Sequence, residues 1–238
     1  DVGPGTWIMA LGQAFFTLSL GMGTMMVYGS YVPSEAKIGS TVATIVALDT
    51  VVAISAGLVI FPLVFVNNLD VGQGPGLMFV TMPLAFGQLP FGSIFGSVFF
   101  LLVSFAAITS AISLTEPAIS YLVEKNNSKR WRVAVGLGFL CWLLGLGTVF
   151  SFNIWADLKP VFGLNFFDLV DQISSNILLP LGGLLIAIFI AWRLPRRTVV
   201  SQIEIESEPI WTLWKVITGI VAPVSVLVVF LNTFVPFF

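Results

Sequence analysis

Residues 7–31 read WIMALGQAFFTLSLGMGTMMVYGSY without a single charge, long enough at about 1.5 Å per residue to cross roughly 30 Å of hydrocarbon. The middle of this stretch, Ser19-Leu20-Gly21-Met22-Gly23, sets two glycines at the centre of a helix, where each costs about 1 kcal/mol relative to alanine. Such a pair either serves close helix packing or marks a break whose freed amides and carbonyls line a cavity. Gln13, Thr17 and Ser19 beside it favour the break, because side-chain oxygens gathered at one depth of a membrane need a polar partner.

The rest of the chain agrees that lipid is the solvent. Of 238 residues, 57% are hydrophobic and 9% charged, whereas a water-soluble chain carries roughly a quarter charged residues. Mean hydropathy is +1.02, which excludes a water-soluble enzyme. Ten basic against twelve acidic residues give a formal charge of −2, so no basic field exists to attract nucleic acid. The absence of histidine removes imidazole zinc sites, Ser-His-Asp triads and histidine proton relays. Cys141 stands alone in an apolar stretch and reads as a small packing residue. Asp1 opens the chain with no basic n-region ahead of its apolar stretch, so no signal peptide is expected and the chain reads as part of something longer.

Six segments are apolar for long enough to span: 7–31, 40–66, 93–123, 131–150, 168–193 and 209–234. Backbone groups in lipid must be satisfied within the segment, and runs this long and continuous are helices rather than barrel strands. The predicted fold class is all-α transmembrane. Lys37, Lys125, Lys129, Arg130, Arg132, Arg193, Arg196, Arg197 and Lys215 fall on one side and Lys159 on the other. The positive-inside rule puts the first side in the cytoplasm and both chain ends outside, with Asp70, Asp157 and Asp168 facing outward. The connection 67–92, with Gly72, Gly74, Pro75, Gly76, Pro83, Gly87 and Pro90 around GLMFVTMPLAF, reads as a structured external loop dipping toward the membrane.

Polar residues recur at mid-membrane. Asp49 lies nine residues, about 14 Å, from the cytoplasmic end of its span, where a carboxylate costs about 2.5–3.5 kcal/mol and implies a cation or a proton. Thr17 reaches a similar depth from the other face, so the two can meet. Thr109 and Ser110, in FAAITSAISLTEP near the centre of the third span, either bond back to their own helix or form a second hard-oxygen cluster suited to a small cation. Glu116, just before Pro117, suits a local structural role better than transport. Asp168 and Asp171 share a helix face at the outer mouth, and Asp171 could close a gate against a basic residue outside this chain. Gly136, Gly138, Gly145, Gly147, Gly182 and Gly183 read as helix-packing notches. The sequon Asn126-Asn127-Ser128 falls in a cytoplasmic loop, where no glycan is expected.

GQAFFTLSLGMG, ALDT with GLVIFP after it, GPGLMFVTMP and FAAITSAISLTEP resemble the sixth to eighth spans of the neurotransmitter:sodium symporter family, especially its bacterial, LeuT-like amino-acid transporters. The order and spacing agree over essentially the whole chain. The resemblance implies an inverted-repeat fold with this chain as its second repeat, residues 1–193, followed by a cytoplasmic loop and one more membrane helix, 194–238. The first five spans, expected as a partner, are not in this sequence.

By that likeness Thr17, through hydroxyl and carbonyl, and Asp49 join one sodium ion. The Ala106 carbonyl and the Thr109 and Ser110 hydroxyls join a second, and the absent spans complete each site. Phe16 is the aromatic lid over an amino-acid substrate, and Ser19, Met22, Ser110 and Leu114 line the pocket around its side chain. Chloride-dependent members hold their anion at the positions of Gln13, Thr17, Asp49 and Ala53. Here Asp replaces an Asn and Ala53 lacks a hydroxyl, so a fixed carboxylate substitutes for chloride. The expectation is sodium-coupled, chloride-independent amino-acid symport by alternating access in a prokaryotic plasma membrane. A channel or a non-transporting scaffold is the competing class, and it leaves unexplained why the glycine break, Asp49 and Thr109-Ser110 share one depth.

Overall fold

The computed structural model describes residues 3–33, 36–69, 74–159, 163–205 and 207–234, and every regular element among them is a helix. Residues 7–31 lie in two helices rather than one: α1 (Pro4–Thr17) and α2 (Thr24–Tyr31), with residues 18–23 unwound between them. Proline in the first turn of α1 suits a position whose amide would be unpaired anyway. Next come α3 (Ile38–Val66), a π-helical turn Leu77–Thr81 leading into α4 (Met82–Gly87), α5 (Gly92–Asn126) and α6 (Arg130–Phe150). The fifth predicted span combines α7 (Phe166–Asp171), a π turn Gln172–Leu178, α8 (Leu179–Ile188) and a π turn Phe189–Arg193. A short α9 (Arg196–Ile203) precedes α10 (Glu208–Val216), a π turn Ile217–Val221 and α11 (Ala222–Phe234).

Among the described residues, five helices are long and apolar enough to cross a membrane: Ile38–Val66, Gly92–Asn126, Arg130–Phe150, Phe166–Arg193 and Glu208–Asn232. Their ends fall within three residues of those expected from the sequence. Neither the 14 residues of α1 nor the 8 of α2 reach that length alone. The connection 67–92 carries helical structure between Leu77 and Gly87. Asp70 lies outside the described residues.

The four π turns among the described residues each end two residues before a proline: Thr81 before Pro83, Leu178 before Pro180, Arg193 before Pro195 and Val221 before Pro223. Proline cannot donate an amide, and its ring collides with the carbonyl four residues back. Where the helix runs on through the proline, at Pro83, Pro180 and Pro223, widening the preceding turn to an i→i+5 pattern moves that carbonyl aside; at Pro195 the chain has already left the helix at the extended Leu194. Proline alone does not force this, since Pro62 and Pro117 sit inside uninterrupted α-helix.

The chain divides into two compact units, Asp1–Thr41 with Leu114–Phe238, and Val42–Ser113. In the first, α8 packs on α1 and α11, α1 also packs on α11, and α6 meets α7. Ile8, Leu179, Ala191 and Val226 are buried there. In the second, Val64, Met82 and Ala85 are buried, and the Phe86 and Phe99 rings lie 5.2 Å apart. Gly92 is required in this unit, because a Cβ there would overlap the Phe86 carbonyl. No residue in the most apolar window of α3 is buried. A helix that is apolar all round and exposed needs lipid or further helices as its surroundings.

Candidate functional site

The unwound stretch 18–23 is built from local backbone chemistry. At the end of α1 the Ser19 amide donates to the Phe16 carbonyl at 3.0 Å and the Leu20 amide to the Phe15 carbonyl at 3.0 Å. These two bonds form a Schellman motif, which requires a left-handed residue just past the helix. Ser19 fills that role at φ 53, and Gly21 and Gly23 follow at φ 84 and 79. Three left-handed residues in six stop the helix, and glycine is the residue that takes this conformation without strain. On the far side, Gly23 caps α2 without a side chain, so the first amides of α2 lack intrahelical partners. Thr24, the first residue of α2, is 2% exposed, and its hydroxyl has no hydrogen-bond partner. The break therefore offers leftover carbonyls from α1 and leftover amides from α2, the pairing that gives a helix interruption both cation- and anion-facing groups.

Gly182 and Gly183 do more than notch a helix–helix contact. They seat the unwound turn itself. A Cβ on Gly21 would collide with the Leu179 carbonyl and stand 2.6 Å from the Gly183 amide nitrogen, and a Cβ on Gly182 would collide with the Gly21 carbonyl. Phe15 closes on Gly183, 3.2 Å from where a Cβ would lie. Backbone thus meets backbone at the break, and the sequence signal was one glycine pair set against another 160 residues later.

The predicted site residues divide between the two units. Gln13, Phe16 and Thr17 occupy the last two turns of α1, with Phe16 exposed. Ser19 and Met22 lie in the unwound stretch, both partly exposed, and Leu114 is exposed on α5. Asp171 ends α7, exposed, and accepts a hydrogen bond from Ser175 Oγ at 2.8 Å. In the other unit, Asp49 is partly exposed in the interior of α3. Ala106, Thr109 and Ser110 fall near the middle of α5, at the i, i+3, i+4 spacing that puts them on one helix face. Thr109 Oγ1 donates back to its own helix, 3.0 Å from both the Phe105 and Ala106 carbonyls. That bond is the local one expected of a membrane threonine, and it leaves the hydroxyl oxygen's lone pairs as acceptors.

Glu116 is 6% exposed and carries a network that was not foreseen. Tyr31 Oη donates to Glu116 Oε1 at 2.9 Å, Ser120 Oγ to the same oxygen at 3.1 Å, and the Arg130 guanidinium to Oε2. The carboxylate thus ties the end of α2 to α5 and to the first residue of α6. A buried carboxylate persists only with such donors, which agrees with the structural role expected for it. Tyr31 and Arg130 lie 85 and 14 residues away in sequence, so no local pattern could reveal those two partners, and only Ser120 stands at the i, i+4 spacing of a helix neighbour.

A profile of the Sodium:neurotransmitter symporter family matches residues 2–237. A sodium-dependent transporter of Bacillus subtilis, YhdH, is 35% identical over 235 residues, covering 98% of this chain and 52% of the relative. A sodium-dependent nutrient amino acid transporter of Drosophila grimshawi is 24% identical over 98% of the chain and 37% of the relative. A crystal structure of MhsT in complex with L-phenylalanine superposes with a TM-score of 0.89 at 40% identity, over 97% of this chain and 52% of that one. The chain spans about half the length of the curated relatives it matches. The fold and the family are those of secondary transporters rather than enzymes. With residues 2–237 matched end to end and its backbone superposing on that crystal structure over nearly its full length, this chain belongs to the sodium:neurotransmitter symporter family.

Proposed function

We propose that the intact protein couples the inward sodium gradient to the uptake of an amino acid by alternating access, and that this chain supplies the second repeat of that machine. The observation that carries the reading is the unwound stretch 18–23 between two half-helices, in a chain of this family. Leftover backbone dipoles inside a membrane helix demand polar ligands. That the ligand is an amino acid is supported by the bound L-phenylalanine in MhsT and by the named substrate class of the Drosophila relative.

In this reading Thr17, by hydroxyl and carbonyl, and Asp49 hold one sodium ion. The Ala106 carbonyl with the Thr109 and Ser110 hydroxyls holds a second. Oxygen-only donor sets of this kind suit a hard cation, and a hydroxyl that donates its proton into the helix presents its lone pairs outward. Each site is completed by residues of a first repeat. Phe16 covers the substrate, Ser19, Met22, Ser110 and Leu114 shape the space around its side chain, and Asp171 with Phe16 forms the outer gate. Asp49 balances the sodium charge in place of an anion near Gln13, so chloride is dispensable. Because ion and substrate share the first site, each raises the other's affinity. The protein sits in the plasma membrane with both ends of this chain outside and its basic loops in the cytoplasm.

The reading is tested by calorimetric titration of the purified intact protein with apolar and aromatic amino acids. Binding in sodium that is lost in potassium is the expected result, and equal binding in both salts would overturn it.

A further inference from the structure

We propose that the cleft between the end of the Phe166–Arg193 helix and the start of α10 binds the phosphate headgroup of an anionic phospholipid. The proposal rests on the membrane orientation argued above but not on the transport activity. The cleft encloses about 350 Å³ and is lined by Trp192, Arg196, Glu208, Trp211, Lys215 and Ile220, among others. Two cations flank it, each held over an indole face: Arg196 Cζ is 5.3 Å from the Trp211 ring and Lys215 Nζ is 5.0 Å from the Trp192 ring. Trp214 stacks on Trp211 at 5.3 Å.

The walls are fixed. Trp192 Nε1 donates to the Gly219 carbonyl at 3.1 Å, and the small residue at 219 leaves room for this approach, since a Cβ there would stand 3.0 Å from both Ala191 Cβ and Trp192 Nε1. The charges do not cancel. Glu208 pairs with Arg196, whereas Lys215 has no carboxylate within ion-pair distance among the described residues. Arg193 and Arg197 directly follow the lining residues Trp192 and Arg196 in the sequence.

Two features favour a lipid over a soluble anion. The tryptophans and basic residues stand at the junction of a polar loop with two membrane-length helices, the level at which indoles and cations meet headgroups. Val216 and Ile220 continue the lining past Lys215 and are 41% and 49% exposed, so an acyl chain can follow the headgroup down the span. At about 1.5 Å per residue, Ile220 lies roughly 7–8 Å deeper than Lys215. A free phosphate would use the cations but leave this apolar wall unfilled.

The test is native mass spectrometry of the delipidated intact protein given phosphatidylglycerol or phosphatidylcholine with the same acyl chains. The wild type should retain phosphatidylglycerol selectively. The Arg196→Gln/Lys215→Gln variant should bind it roughly thirtyfold more weakly, from the worth of two basic residues at an anionic surface. Arg196→Lys/Lys215→Arg should keep the selectivity. If the glutamine pair does not fold, Lys215→Gln alone leaves the Arg196–Glu208 pair intact and is read the same way. Equal retention of both lipids, or undiminished retention by the glutamine variants, overturns the proposal. Displacement of the lipid by inorganic phosphate alone would reassign the cleft to a soluble anion and also overturns it. Sodium-dependent amino-acid binding by the same samples reports separately on the transport reading.

Discussion

Gly21→Ala tests whether the break is held by close backbone packing. At φ 84 an alanine adopts the left-handed conformation at a cost of about 1–2 kcal/mol. Its methyl would stand 2.6 Å from the Gly183 nitrogen, where ordinary contact begins at 3.4 Å, a shortfall of 0.8 Å, and would collide with the Leu179 carbonyl as well. Both atoms belong to the backbone of α8, so no side-chain rotation relieves the clash. The α8 helix must shift as a unit, at an overpacking cost of about 1–3 kcal/mol. Together these predict a loss of about 2–5 kcal/mol, which for a protein about twice the length of this chain is a fall in Tm of about 2–5 °C, measured by thermal unfolding of the purified intact protein. Gly12→Ala is the control. It sits inside α1, its Cβ would meet Val229 Cγ1 at 3.6 Å, and it should gain up to about 1 kcal/mol in helix propensity. A Gly21→Ala protein as stable as wild type would refute the reasoning, because a turn free to move off α8 could not hold the two half-helix ends in place.

Three further perturbations separate the remaining roles. Replacing chloride with gluconate should leave uptake unchanged, and Asp49→Ser should make uptake require chloride; uptake that collapses without chloride in the wild type contradicts the charge-balance argument. Tyr31→Phe removes one donor from Glu116 and should lower stability by about 1 kcal/mol; an unchanged unfolding midpoint would mean the network does not hold the end of α2. Thr24→Val replaces a buried hydroxyl that has no partner with a group of similar shape, and thermal unfolding should show a gain of about 1 kcal/mol; a loss would show that the hydroxyl is satisfied by an ion, water or substrate in the working protein.

The membrane helices were legible because lipid imposes one rule on every span, and runs such as 40–66 obey it without interruption. The break was legible from Gly21 and Gly23, whose cost in a helix interior needs a reason. What could not be read is what depends on contacts distant in sequence. The role of Gly182 and Gly183 as the seat of the unwound turn needs the packing of α8 on α1. The partners of Glu116 come from three helices. Ser19 is a further case: a serine in a left-handed turn has no signature beyond the glycines that follow it. The π turns did carry a sequence mark, a proline two residues beyond each, but Pro62 and Pro117 bear the same mark without the turn. The third span's hydroxyls were ambiguous in sequence, and Thr109 proves to donate into its own helix, which is compatible with a packing role and with a ligand role alike.

The most direct test of the account is uptake by proteoliposomes containing the intact protein, with a labelled amino acid outside and the sodium gradient set independently. The account predicts accumulation above the external concentration while sodium is higher outside, and release of the accumulated substrate when an ionophore dissipates that gradient. Uptake that stops at equal concentrations, or that proceeds identically in potassium, would contradict it.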